Sequence, residues 1–200
     1  QPLWLTGEAR RYGSDTAGNP GFAGPLYRTA GPAHTGPFDP RAVGVTRVGN
    51  HNFIMAYAHI GHDCQVADHV VMVNGAQLAG HVTIEHHALV SGLTGVTQFT
   101  RLGAYSFMAA GAFANKDIVP FTVAEGHWAT PRAINRVGLK RAGFDAAERR
   151  NIDTAIRFVL DRALTIEEVT TRIAAERSPR AQIEYLLAFI HSSKRGIARG

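Results

Sequence analysis

Three histidines stand close together in the chain: His59 and His62 in the segment HIGHD, and His81 in LAGH. A histidine held in one orientation near neutral pH can take a proton from a weak nucleophile such as a hydroxyl. Asp63 directly follows His62 and can hold the imidazole tautomer and support its charged form. Gly80 directly precedes His81, and a glycine with an exposed backbone N–H can donate to an oxyanion. The three histidines also have the makings of a metal site. Neither a cysteine ligand nor a helical HExxH pattern supports that reading, and a carboxylate following His62 on a strand is expected to point away from it. The expectation is no metal and no cofactor. Cys64, the one cysteine, is expected in the core rather than as a nucleophile, and it excludes an intramolecular disulfide framework. His69, His86, His87 and His191 are read as surface side chains.

The elements that position these residues announce themselves by a repeat. Stepping by six from Val48 gives Ile54, Ile60, Val66, Met72, Leu78, Ile84, Val90, Val96, Leu102 and Met108, every one aliphatic. Two residues earlier in each hexad the side chain is nearly always small, as at Ala58, Cys64, Ala76, Ala88 and Ser106. A helix repeats its apolar residues every three to four positions and a lone strand every two, so period six fits neither. It fits short strands on the flat faces of a triangular solenoid, with the aliphatic filling the interior and the small residue letting the chain turn. Three faces make a coil of eighteen residues, and successive coils stack as parallel strands ~4.8 Å apart. Eighteen residues after His62 stands Gly80, and eighteen after Asp63 stands His81. Both are therefore expected one strand above, with Gln98 one coil further along the same edge.

The pattern fails on either side. Residues 1–42 are rich in Gly, Pro, Ser and Thr and are expected to be mostly loop or an abbreviated remnant of earlier coils. Residues 43–120 are expected to form the β-helix, and 121–200 a small helical subdomain packed against it. In the latter, Asp145 caps a helix carrying Ile152, Ile156, Val159 and Leu160, and Thr165 with Glu168 forms a capping box. Ser178-Pro179 opens a third helix bearing Ile183, Leu186, Leu187 and Ile190. The fold class is thus mainly β, a left-handed parallel β-helix followed by a small α-helical subdomain. Of the net charge of +5, residues 121–200 supply all of it, with fourteen bases against nine acids. A basic end on a neutral body suits an anionic partner. No run approaches the ~18–20 apolar residues of a spanning helix, and the chain is expected to be cytoplasmic.

The hexad run, NFIMAYAHIGHD (52–63), LAGHVTI (78–84), ATP (129–131) and NRVGLKRAGF (135–144) together resemble the acyl-carrier-protein-dependent UDP-N-acetylglucosamine O-acyltransferases of lipid A biosynthesis. The resemblance covers roughly residues 44–200. It implies a homotrimer with sites in the clefts between solenoids. It also implies transfer of a hydroxyacyl chain from acyl carrier protein to the sugar 3-hydroxyl, with no cofactor and no nucleic acid. Carried over position by position, it makes His62 the base, Asp63 its supporting carboxylate and Gly80 the oxyanion donor. His59, His81 and Gln98 become substrate-positioning residues, Asn135 and Arg141 lie near the nucleotide, and Ala110 lies in the acyl groove.

Several positions depart from the family pattern. Thr97 replaces a histidine before Gln98, Trp128 stands where the HATP motif has its histidine, and Val137 and Ala142 replace charged residues near the nucleotide. The family's early coils are expected to be absent or abbreviated in residues 1–42. Two alternatives stay open: an N-acyltransferase acting on an amino sugar with the same donor, and a diverged, non-catalytic β-helix paralogue.

Overall fold

Each aliphatic of the six-residue series lies second in a two-residue strand, with its side chain inward. The structure, a computed structural model, describes residues 46–175 and 181–199. Face one consists of β1 (Arg47–Val48), β4 (Gln65–Val66), β7 (Thr83–Ile84) and β10 (Arg101–Leu102). Face two carries β2 (Phe53–Ile54), β5 (Val71–Met72), β8 (Leu89–Val90) and β11 (Phe107–Met108). Face three carries β3 (His59–Ile60), β6 (Gln77–Leu78), β9 (Gly95–Val96) and β12 (Phe113–Ala114). Within each face the strands pair in parallel, and every partner lies eighteen residues away, as in Gln65↔Thr83 and His59↔Gln77. Met72, Leu78, Ile84, Val90, Leu102 and Met108 are fully buried. Each such side chain contributes about 1.5–3 kcal/mol relative to exposure. The expected left-handed parallel β-helix is the fold of this chain.

Between faces the chain turns in two residues, and the second of them is left-handed. His51, Tyr57, Asp63, His69, His81, His87, Leu93, Phe99 and Tyr105 have φ between 56° and 62°. That region is uncommon for residues with a Cβ. It persists here because the hydrogen bonds to the coils on either side fix it, as in His81 N–H donating to His62 O at 2.9 Å. The small hexad residue comes just after the turn rather than making it. Cys64, Val70, Ala76, Val82 and Ala88 point inward and are buried where two faces converge and little volume remains. Cys64 Sγ–H donates to Ala79 O at 3.1 Å, and burial pushes its thiol pKa up to about 11. At neutral pH it is expected to stay unlabelled by a thiol reagent until the protein unfolds, and rapid labelling of the folded chain contradicts this placement.

The corner between faces one and two carries a ladder that the hexad reading passes over. His51, His69, His87 and Tyr105 recur every eighteen residues and stack, with centroids 5.0, 4.6 and 4.7 Å apart. His86 and His87 are held below the ordinary histidine pKa, first by desolvation and then by the neighbouring His69, against the opposing pull of Asp68. A histidine pKa lowered by folding makes the unfolded chain the better proton acceptor. Its stabilising effect is therefore complete above the ordinary histidine pKa and is lost as pH falls through the lowered one. The melting temperature is expected to drop between pH 7.5 and 5, and to drop less in His87→Gln. Equal drops in the two proteins would refute this.

Past Pro120 the solenoid does not give way at once to helix. Residues 122–134, expected within the helical part, form an antiparallel hairpin of β13 (Thr122–Glu125) and β14 (Thr130–Ile134). β13 pairs in parallel with β11, so the hairpin extends face two. Helix begins only at α1 (Arg136–Arg141), followed by α2 (Ala146–Leu160), α3 (Ile166–Ala175) and α4 (Ala181–Ser192). Asp145 caps α2 in a full capping box with Glu148, and Thr165 and Glu168 cap α3 reciprocally. The start of the last helix at Ser178-Pro179 lies outside the described residues, as does the segment 1–42.

The helices share a second core around Leu139, Ile152, Ile156, Val159, Ile173, Leu186 and Phe189. Arg101 fastens α4 to the solenoid. Its guanidinium lies 3.8 Å over the Phe189 ring and donates to Phe189 O at 2.6 Å. Tyr185 O–H donates to Glu85 from the same helix. The chain end then returns to close the prism, where Asp117 pairs with Ile197.

Candidate active site

The corner between faces three and one holds the predicted residues. His62 and Asp63 form the turn from β3 to β4, Gly80 and His81 the turn from β6 to β7, and Gln98 and Phe99 the turn from β9 to β10. Asp63 does not behave as a strand residue. Its left-handed turn conformation swings the carboxylate back, so that His62 Nδ1 lies 2.8 Å from Asp63 Oδ2. The expectation that this carboxylate points away from His62 is corrected. The Asp63 side chain is 1% exposed and that of His62 28%. A buried carboxylate thus anchors a ring whose other edge is accessible. With Nδ1–H donating to Asp63, Nε2 keeps its lone pair.

Gly80 lies against that free edge. A Cβ built on Gly80 falls 2.4 Å from His62 Nε2 and 2.6 Å from Cε1, so only glycine leaves room for the ring. No acceptor among the described residues takes the Gly80 N–H. By contrast, the first turn residues Asn50 and Ala104 have their N–H groups engaged, by Asp68 and by Glu85 and Tyr185. A hydroxyl approaching Nε2 and a developing oxyanion near the Gly80 amide are therefore neighbours.

His81 meets His62 edge-on at 5.0 Å and stacks on Phe99 at 4.5 Å, 14° from parallel. The sequence reading did not single out Phe99 as a partner of His81, although it stands eighteen residues after it. Ligand atoms of His62, Asp63 and His81 lie within 4.8 Å of one another, a spacing that also admits a metal ion. The 2.8 Å contact between Nδ1 and Oδ2 is a hydrogen-bond distance and needs a proton between them, which favours the base and its carboxylate. His59 lies on β3 and is half-buried, while Gln98 is exposed on the same corner as His62. Thr97 Oγ lies 3.1 Å from Thr100 Oγ.

The remaining predicted residues stand elsewhere on the prism. Asn135 is the N-cap of α1: its Oδ1 accepts from Gly138 N–H at 3.0 Å and its Nδ2 donates to Tyr105 O at 2.9 Å. Both ends of its amide are occupied, so it fixes α1 at the corner between faces one and two. Arg141 is exposed in the last turn of α1. Ala110 is exposed beside Gly111 at the third corner, between faces two and three. Within one chain, the three groups of predicted residues occupy three different corners.

Comparison with known proteins puts a family beside this geometry. The profile described as UDP N-acetylglucosamine O-acyltransferase, domain 2, matches residues 117–198, and that of the bacterial transferase hexapeptide matches 46–80. The acyl-[acyl-carrier-protein]–UDP-N-acetylglucosamine O-acyltransferase of Alkalilimnicola ehrlichii is 40% identical over 160 residues, covering 80% of this chain and 62% of that protein. The enzyme of the same name from Burkholderia lata is 42% identical over 170 residues, covering 83% and 64%. The chain is a homologue of the UDP-N-acetylglucosamine O-acyltransferases. Solved structures agree. The UDP-N-acetylglucosamine acyltransferase of Francisella novicida is 38% identical with a TM-score of 0.73, covering 79% of this chain and 58% of that one. That of Campylobacter jejuni is 35% identical with a TM-score of 0.75, covering 81% and 63%. The chain therefore spans about three fifths of the length of these acyltransferases. No helix among the described residues is long and apolar enough to cross a membrane.

Proposed function

We propose that the chain transfers an acyl group from acyl carrier protein to a hydroxyl of UDP-N-acetylglucosamine, the reaction for which its relatives are named, and that the acceptor is the 3-hydroxyl. The observation that carries this reading is the His62 ring, held by buried Asp63 on one side and lying against the Gly80 amide on the other. His62 Nε2 takes the proton of the acceptor hydroxyl as its oxygen attacks the thioester carbonyl. The new C–O bond places the negative charge on the former carbonyl oxygen, which the Gly80 N–H receives. Collapse of the tetrahedral intermediate breaks the C–S bond, and the imidazolium returns its proton to the leaving thiolate. No covalent enzyme intermediate and no cofactor enter this scheme. His59, His81 and Gln98 line the acceptor side of the same corner.

A homotrimer follows from the same reading. Asn135 and Arg141, assigned to the nucleotide, and Ala110, assigned to the acyl groove, stand on corners that His62 does not share, and neighbouring copies bring such corners together. Face two supports this, because its outward side chains Phe53, Val71, Leu89 and Phe107 are all apolar, and Phe53 is 48% exposed. Such a face suits a neighbouring copy and an acyl chain between the two. The basic C-terminal part suits the nucleotide diphosphate and the acidic carrier protein, and both proposed substrates suit a cytoplasmic protein. The intact His62–Asp63–Gly80 geometry argues against a non-catalytic paralogue. Offering UDP-N-acetylglucosamine and its 3-amino analogue side by side tests the acceptor: ester formation is expected, and amide formation alone contradicts the O-acyltransferase reading.

A further inference from the structure

One coil beyond Gln98 on the same edge stands Lys116, at a corner two residues shorter than those below, since Phe113 pairs with Gly95 but Ile118 pairs with Leu102. Lys116 does not stand alone at the end of that edge. It lines a pocket of about 410 Å³ with Asn115, Trp128, Thr130, Arg162 and Arg199. Arg199 is fixed there by donating to the carbonyls of Val159 at 2.9 Å, Leu164 at 2.7 Å and Asp161. Those acceptors are neutral, so its charge is not cancelled. Arg195 borders the same place through Nε donating to Asn115 O at 3.0 Å. Lys116 and Arg162 are exposed and make no ion pair among the described residues. Two acids lie close by. Asp117 is buried and accepts from Arg101 N–H and Ser193 O–H, and Asp161 accepts from Ala163 N–H. Lys116, Arg162 and Arg199 line the cavity and Arg195 borders it, against two engaged carboxylates nearby, an excess of positive charge that an anion relieves.

The position of the cavity says which anion. Gly80 and Lys116 are two coils apart along one edge, a span of about 10 Å at the strand spacing of a stacked solenoid. A carrier-protein donor presents its thioester at one end of a phosphopantetheine arm and a phosphodiester at the other. Two amide units separate them, enough to bridge that span with slack. We propose that Lys116 and Arg162 bind the phosphate of this arm while its thioester lies at Gly80. This rests on the acyl-transfer reading above and adds to it a donor site on the catalytic edge. Trp128, half-exposed on the pocket wall, offers the pantetheine methyl groups an apolar surface.

The test compares acyl-phosphopantetheine with acyl-pantetheine, which lacks the phosphate, using the whole chain and a Lys116→Gln/Arg162→Gln variant. Wild type is expected to favour the phosphorylated donor at least tenfold in kcat/KM, as one charge-assisted contact allows. In the variant that ratio is expected to fall towards one, and an unchanged ratio overturns the proposal. Calorimetric titration with free phosphopantetheine, pantetheine and inorganic phosphate separates this result from the enzymatic one. Tighter binding of phosphopantetheine than of either fragment, lost in the variant, supports the site even if no donor is turned over. Binding of inorganic phosphate as tight as that of phosphopantetheine marks a general anion pocket and overturns the assignment to the arm. Acyl transfer with no preference for the phosphate keeps the proposed reaction and removes this site.

Discussion

A His62→Ala variant is expected to transfer acyl groups about 10²–10⁴-fold more slowly than wild type, the usual contribution of a positioned general base. The substitution also leaves the Asp63 carboxylate, 1% exposed, without its imidazole partner. A loss of about 1–3 kcal/mol in stability should therefore accompany it. Two effects from one change call for a readout that separates them. The vacated space beside Gly80 has the size and orientation of an imidazole, because the native ring fills it. Added imidazole is therefore expected to restore part of the rate without restoring the stability. Wild-type-like turnover in the variant would remove His62 from the role of base, and a lost rate that imidazole never restores would make its role structural.

Gly80→Ala is expected to be the second severe change, and its signature is the reverse. The nearest atoms to the new methyl belong to the His62 ring, at 2.4, 2.6 and 3.0 Å. A side chain can rotate away, so the fold should lose less than about 1.5 kcal/mol, while the displaced base forfeits at least 10²-fold in rate. Gly61→Ala provides the contrast. There the new methyl meets Ala79 C and O at 2.7 Å and Gly80 N at 2.9 Å, all backbone of the next coil. Backbone cannot move aside without separating the coils, so Gly61→Ala should lose stability first. Measuring melting temperature and initial rate for both variants checks the distinction. Equal losses of stability in the two would mean that the His62 ring is not free to move.

The difference between those glycines is invisible in a one-dimensional pattern, and this marks where the sequence stops informing. The hexad aliphatics were legible because only one side-chain volume fills the interior of a triangular prism at each step. The eighteen-residue coil then placed Gly80 and Gln98 over His62 by counting alone. The direction of Asp63 was not legible, because strand alternation does not apply in a left-handed turn, and the turn sets where the carboxylate points. The His51–His69–His87–Tyr105 ladder was within reach of the same counting, since its members also recur every eighteen residues. The hairpin 122–134 was not, because β13 exists by pairing with β11 at a spacing of sixteen residues, which breaks the count of eighteen. Asn135 had a local signal for its structural role, a capping residue just before a helix, which its assignment to the nucleotide obscured.

The account turns on ester formation at one oxygen, and one experiment addresses it directly. Acyl carrier protein bearing a 3-hydroxyacyl thioester is mixed with UDP-N-acetylglucosamine and this chain, and the product is identified by NMR. The prediction is an ester at the sugar 3-hydroxyl, formed with release of one thiol per product and absent when His62 is alanine. Thioester consumed without a sugar ester, or an ester formed equally well by His62→Ala, would contradict it.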